Sequence, residues 1–210
     1  MTDKFRNKYR SRSHRMPQWD YSNNGKYFIT LVTQNSECNL GQINNGEMIF
    51  SGFGKIVNDE WLESFEIRNE LFLDEYIIMP NHLHAIVVLN KNGIINMDNK
   101  LHGSDVDTHG RAYLQPPNQS IKKIQKQPCI RKPKSISSFI GGFKSAVNTK
   151  IDDYIDEKHL KIPKYNRNNH FFQSNYHDHI IRNNAEYQRI KNYIINNPVK
   201  WDNDKFNPKN

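Results

Sequence analysis

The sequence predicts an α+β domain. Short runs of β-branched and aromatic residues bounded by turn signals read as strands, and two longer stretches carry apolar residues at helical spacing. Residues 27–33 (Tyr-Phe-Ile-Thr-Leu-Val-Thr) are a strand on propensity, and residues 40–50 hold two short strands around the turn Asn44-Asn45-Gly46, so a β-meander begins the domain. From Phe53, the positions Phe53, Ile56, Val57, Trp61 and Phe65 recur at helical spacing with Glu60 and Glu63 opposite, which packs a helix on the sheet. Residues 71–78 and 82–89 are two further strands divided by Pro80-Asn81. Ile136, Phe139, Ile140, Phe143, Val147, Ile151 and Ile155 mark a long amphipathic helix with Ser135 as its cap. Within it, Gly141-Gly142 weakens the helix and predicts close approach of another backbone or of a ligand. A last helix over residues 185–196 buries Tyr187, Ile190 and Ile194 and ends at Asn197-Pro198.

A chain of 210 residues accommodates one well-packed domain, here expected over residues 27–201. Residues 1–26 read as a basic arm, with Lys4, Arg6, Lys8, Arg10, Arg12 and Arg15 crowded together. Residues 90–134 lose periodicity and gain Asn, Asp, Gly, Pro and Lys, so they read as a polar insertion. Thirty Lys and Arg against 22 Asp and Glu leave a net charge of +8, which favours a polyanionic partner. Two cysteines, Cys38 and Cys129, are too few for a disulfide framework or a zinc knuckle, so a reducing cytoplasm is expected. No apolar run approaches membrane-spanning length, and no signal-peptide core is present at the N-terminus.

The residues that carry chemistry begin with Pro80-Asn81-His82-Leu83-His84. Side chains two apart on a strand share a face, so both imidazoles can reach one metal ion, although alternation on a polar strand face yields the same pattern. A second segment, Tyr176-His177-Asp178-His179-Ile180-Ile181-Arg182, has helical potential, and on a helix His179 shares the face of Tyr176. A phenol activated by a nearby metal is a nucleophile for phosphodiesters and a good leaving group in reverse, so the bond energy is kept for strand transfer. The plainer reading of Tyr176 is a packed aromatic, and of His177 and His179 surface residues. Imidazole ligation suits Mn²⁺, and an octahedral site completed by water and phosphate oxygens also accepts Mg²⁺.

Taken together, the His82/His84 pair, Lys144 in a Gly-containing amphipathic helix, the segment from Tyr176 to Arg182 and the closing Tyr193-Ile194 … Asn197-Pro198 resemble the HUH single-tyrosine transposases. The REP-associated tyrosine transposase branch is the one most resembled. The resemblance implies the HUH endonuclease fold, a ferredoxin-like antiparallel sheet with flanking helices. It implies Tyr176 as the nucleophile, His82 and His84 as metal ligands with His179 (or the neighbouring Asp178) as the third, and Mg²⁺ or Mn²⁺ as cofactor. The implied activity is nicking of single-stranded DNA beside a hairpin through a 5′-phosphotyrosine, with DNA contacts at Arg10, Arg12, Arg15 and Lys144. A monomer acting in cis is expected, a dimer being possible, in a bacterial cytoplasm at the nucleoid. Two rivals stand beside it: a non-catalytic or domesticated single-stranded nucleic-acid-binding module, and a metal-dependent hydrolase that uses water and does without the tyrosine.

Overall fold

The computed structural model describes residues 4–5, 8–9, 19–92, 132–166 and 168–208. Upstream, the two-residue strands Lys4–Phe5 and Lys8–Tyr9 pair with each other. The domain then runs β1 (Gly25–Val32), β2 (Gly41–Asn44), β3 (Glu47–Phe50), α1 (Gly52–Glu66), β4 (Leu71–Met79), β5 (His82–Leu89), α2 (Ile136–Glu157), β6 (His177–Ile181) and α3 (Asn184–Asn196). The central sheet has the order β4-β5-β1-β6 with every neighbouring pair antiparallel. Crossovers through α1 and α2 join β1 to β4 and β5 to β6, giving the β-α-β-β-α-β ferredoxin-like path expected from the sequence. The β2–β3 hairpin is an addition between β1 and α1. Its turn uses Asn45 (φ 51°) and Gly46 (φ 78°), a left-handed pair that matches the twist of the flanking strands.

Alternation along the two central strands assigns the faces of the sheet. On β5, Leu83, Ala85, Val87 and Leu89 point into the core under α1 and α2, and all are at most 1% exposed. The helices meet over this face through rings. Trp61 lies 4.9 Å from Phe143 and 5.3 Å from Phe139, centroid to centroid, in edge-on and tilted arrangements that suit the aromatic quadrupoles. Ser51 caps α1 by accepting from the Gly54 N–H at 3.0 Å, and Ser135 and Ser138 form a reciprocal capping box at the start of α2. The other residues of β5, His82, His84, Ile86 and Val88, face away from α1 and α2. There α3 lays Ile190 and Ile194 on Ile86, with Phe28, Ile77 and Ile181 around them.

Several expectations are corrected. The segment after Tyr176 is the strand β6, not a helix: Phe28 pairs with His179 and Thr30 with His177 across β1. The backbone donors and acceptors on the free side of β1 need partners, and this tertiary demand outweighs a weak local preference for helix. The neighbour of α2 at Gly142 is a side chain and not another backbone: the Arg68 guanidinium lies 2.9 Å from where a Cβ would stand. Tyr21, within the expected arm, is only 8% exposed, and the Trp19 Nε1–H donates to the Tyr27 hydroxyl at 3.1 Å, so these residues belong to the packed domain. Arg10, Arg12, Arg15, Cys129 and most of the expected insertion, residues 93–131, lie outside the described residues. No helix among the described residues is long and apolar enough to cross a membrane.

Candidate active site

The turn Pro80-Asn81 between β4 and β5 delivers His82 and His84 onto the α3 face, opposite Met79 and Ile77 on β4 and opposite Val32 and Thr30 on β1. Both imidazoles are buried, at 0% and 1% exposure, with their centroids 4.5 Å apart. Burial strips the solvation that a charged imidazole needs. The His82 pKa is lowered to about 3, by burial first and by the Lys205 ammonium second. His84 is held well below its ordinary value by burial, then by His82, Lys205 and His177. Both rings are therefore neutral at pH 7, the state in which a ring nitrogen offers a lone pair to a metal.

Hydrogen bonding treats the two rings differently. The His82 Nδ1 faces Asn81 Oδ1 at 2.8 Å, whereas its Nε2 is buried without a hydrogen-bond partner among the described residues. Each ring nitrogen of His84 meets a hydroxyl: Thr30 Oγ1 at 2.8 Å from Nδ1 and the Tyr193 hydroxyl at 3.1 Å from Nε2. Because a hydroxyl both donates and accepts, His84 is satisfied as either tautomer.

Tyr193 reaches this point from α3. Its ring lies 5.1 Å from that of His84 and edge-on to Phe28, and it remains 39% exposed, so solvent reaches one side while the hydroxyl meets the buried His84. Burial and the Asp204 carboxylate push its phenol above the ordinary value, against an opposing hydrogen bond from Asn197. One turn further along, Asn197 is 2% exposed and its Oδ1 has no hydrogen-bond partner among the described residues. The chain then passes through a 3-10 turn (Pro198–Asn203) and returns over the histidines, with Phe206 4.6 Å and Trp201 6.1 Å from the His82 ring centroid. Lys205 beside it holds its Nζ 4.7 Å from the Phe206 ring centroid.

The residues expected from the sequence divide between the two faces. His82 and His84 come together. Tyr176 lies on the opposite face: it packs against the main core, its hydroxyl donates to Ser137 Oγ on α2 at 3.3 Å, and the Lys144 Nζ stands 5.8 Å from its ring centroid. Lys144 donates to the carbonyls of Gln173 (2.5 Å), Ser174 and Asn175, so it secures the loop entering β6. Asp178 is buried on the core face beside Tyr27, at 2% exposure. His179 is on the face of the histidine pair, but its Nε2 bonds Glu186 Oε1 of α3 at 2.7 Å. Among the described residues no three His, Cys, Asp or Glu side chains gather as a metal-ligand set. His177, across Thr30 in the strand register, is the histidine of β6 whose charge His84 feels.

Tyr193 and Asn197 were not singled out as site residues from sequence. The signal was present: the two are four apart on a helix and so share a face, beside the apolar stripe of Ile190 and Ile194.

No family model matches the chain. An uncharacterized protein of Haemophilus influenzae (strain ATCC 51907 / DSM 11121 / KW20 / Rd) is 28% identical over 200 residues, covering 93% of this chain and 92% of the relative. Among solved structures, a REP-associated tyrosine transposase bound to a REP hairpin is similar at a TM-score of 0.47 and 16% identity, over 89% of this chain and 74% of that one. A candidate transposase from Deinococcus radiodurans R1 gives a TM-score of 0.38 and 15% identity, over 87% of this chain and 95% of that one.

Proposed function

We propose that the chain is a transposase-type enzyme that cuts and rejoins single-stranded DNA, with Tyr193 as its nucleophile. The observation that carries the reading is the 3.1 Å contact between the Tyr193 hydroxyl and His84 Nε2, within one cluster that also holds the unpartnered Nε2 of His82. A tyrosine, two neutral imidazoles and a route to solvent on one sheet face are the parts that a phosphotyrosine mechanism needs. Tyr176, expected from sequence to play this part, has its hydroxyl on Ser137 at the other face.

The donor set suits a divalent cation. His82 and His84 would hold Mg²⁺ or Mn²⁺ through Nε2, with Asn197 Oδ1, a buried acceptor without a hydrogen-bond partner among the described residues, as a third protein ligand. When bound, such an ion supplies Lewis acidity at a non-bridging phosphate oxygen and favours the phenolate form of the nearby tyrosine. The chain's own residues do the rest. Tyr193 Oη attacks the phosphorus and gives up its proton to water. The bond from phosphorus to the 3′ oxygen breaks, the leaving oxygen takes a proton, and the 5′ phosphate stays on the tyrosine. A free 3′-hydroxyl reverses the step. Lys205, whose charge is felt by both histidines, is a cation for the phosphate, and the basic arm with Arg10, Arg12 and Arg15 is the further DNA contact. Tyr193 meets His84 of its own chain, so in this reading the tyrosine acts in cis.

The test is a denaturing gel of the protein with labelled single-stranded hairpin DNA and Mn²⁺. Wild type and Tyr176→Phe give a covalent adduct and a free 3′-hydroxyl, while Tyr193→Phe binds the DNA and gives neither. Cleavage by Tyr193→Phe at the wild-type rate would replace this reading by a water-using hydrolase. Binding without cleavage by wild type would replace it by the non-catalytic module.

A further inference from the structure

We infer that Asn81 is a positioning residue: its side-chain amide holds His82 in the Nδ1–H tautomer, with the Nε2 lone pair turned to the site, and the same amide pins the C-terminal segment that covers the ring. The inference rests on the metal-site reading above only for its consequence in metal affinity. The tautomer itself follows from hydrogen bonding alone.

Asn81 is wholly buried and bonded to three separate parts of the chain. One amide atom lies 2.9 Å from the Ser36 carbonyl oxygen and 2.6 Å from the Phe206 carbonyl oxygen. Carbonyl oxygens only accept, so that atom is the NH₂ group and the other, facing His82 Nδ1 at 2.8 Å, is the oxygen. An amide oxygen has nothing to donate. The hydrogen in this contact therefore sits on His82 Nδ1, and a neutral imidazole protonated there carries its lone pair on Nε2, the atom that is buried without a partner. Nothing in a turn between two strands requires a side chain so placed; an orienting acceptor on the far nitrogen is, however, what a metal-binding imidazole needs. His84 lacks such a constraint, since hydroxyls on both its nitrogens accommodate either tautomer. Through its two donor bonds Asn81 also joins the loop after β1 and the segment bearing Phe206 to the orientation of a single ring.

The experiment is nitrogen-15 NMR of the full-length, metal-free protein with labelled histidine, the His82 signals being assigned by their loss in His82→Ala, together with Mn²⁺ titration of each variant. Wild-type His82 should show the Nδ1–H pattern. Asn81→Ala, which removes acceptor and donors, should give a tautomer mixture and Mn²⁺ binding weakened about 10–100-fold. Asn81→Asp keeps the acceptor and loses the donors. It should retain the Nδ1–H tautomer, with faster amide exchange around Phe206, and loss of that tautomer in folded Asn81→Asp overturns the proposal even where Asn81→Ala does not fold. An Nε2–H pattern in wild type, or an unchanged Nδ1–H tautomer in folded Asn81→Ala, overturns the proposal. Mn²⁺ affinity unaltered by His82→Ala would instead overturn the metal site and leave the tautomer result standing.

Discussion

The two faces of the central sheet are made by alternate residues of the same strands, yet they differ in kind. Beneath α1 and α2, Leu83, Ala85, Val87 and Leu89 of β5 join the rings of Trp61, Phe139 and Phe143 in a core whose buried members are mostly apolar. On the face under α3, buried apolar side chains are few, Met79, Ile86, Ile190 and Ile194, and beside them two histidines and Thr30 are buried with them. A face closed by two long helices can be apolar throughout and supply stability. A face closed by one 13-residue helix and a returning C-terminal segment leaves room at one end for polar groups with unfilled valences. Stability and chemistry are thereby separated by a one-residue step along β5, and Tyr176 and Tyr193 fall on opposite sides of that division.

The two tyrosines offer the strongest way to break this division. Tyr193→Phe should lower strand cleavage by more than about a thousandfold while leaving DNA binding intact, because the hydroxyl acts in the transition state and not in the ground-state complex. Tyr176→Phe should leave cleavage within a few-fold of wild type, as single-turnover rates on a hairpin substrate would show. A reversal of these two results would put the chemistry on the wrong face.

Next in size is the contrast within β5 itself. His82→Ala or His84→Ala should each abolish divalent-dependent cleavage without unfolding the domain, whereas Phe143→Ala, which empties the centre of the α1–α2 ring cluster, should cost about 3–5 kcal/mol in urea unfolding. Should His82→Ala prove as destabilising as Phe143→Ala, the α3 face would be a second core.

Acid sharpens the same comparison. A buried imidazole that resists protonation stabilises the fold fully above its unfolded pKa of about 6.5, and that contribution is lost as pH falls toward the folded value, about 3 for His82. Each such histidine should remove about 1.4 kcal/mol of stability per pH unit in that window. Urea midpoints between pH 7 and pH 4 should therefore fall less steeply for His82→Ala than for wild type.

The smallest effect belongs to the arm. Replacing Arg10, Arg12 and Arg15 by alanine should flatten the salt dependence of single-strand binding by about 2 in logarithmic slope, at about 0.7 per phosphate contact, with the cleavage rate of bound DNA unchanged. An unaltered slope would leave the DNA contacts to the domain itself.

Much of the fold was legible from local pattern. Helical spacing located α1, α2 and α3 to within a few residues, Asn44-Asn45-Gly46 located the hairpin, and alternation in β5 placed His82 and His84 on one face. Those signals are local because backbone geometry repeats every two or 3.6 residues whatever lies elsewhere in the chain. Local pattern was thus enough for the helices, the hairpin, β1, β4, β5 and the histidine pair, but not for β6. Which tyrosine joins that pair was decided only by tertiary structure. The residues after Tyr176 have local helical potential, and only the demand of β1 for backbone partners draws them into β6, which turns Tyr176, with Asp178 and Ile180, toward α2. Likewise, Tyr193 and Asn197 read as the flank of an apolar stripe until α3 is laid across the far face of the sheet, where the Tyr193 hydroxyl meets the buried His84 ring and Asn197 is buried one turn further along. Side-chain period is a property of one element; the meeting of two elements depends on pairing across 109 residues of chain between His84 and Tyr193, which no local pattern carries.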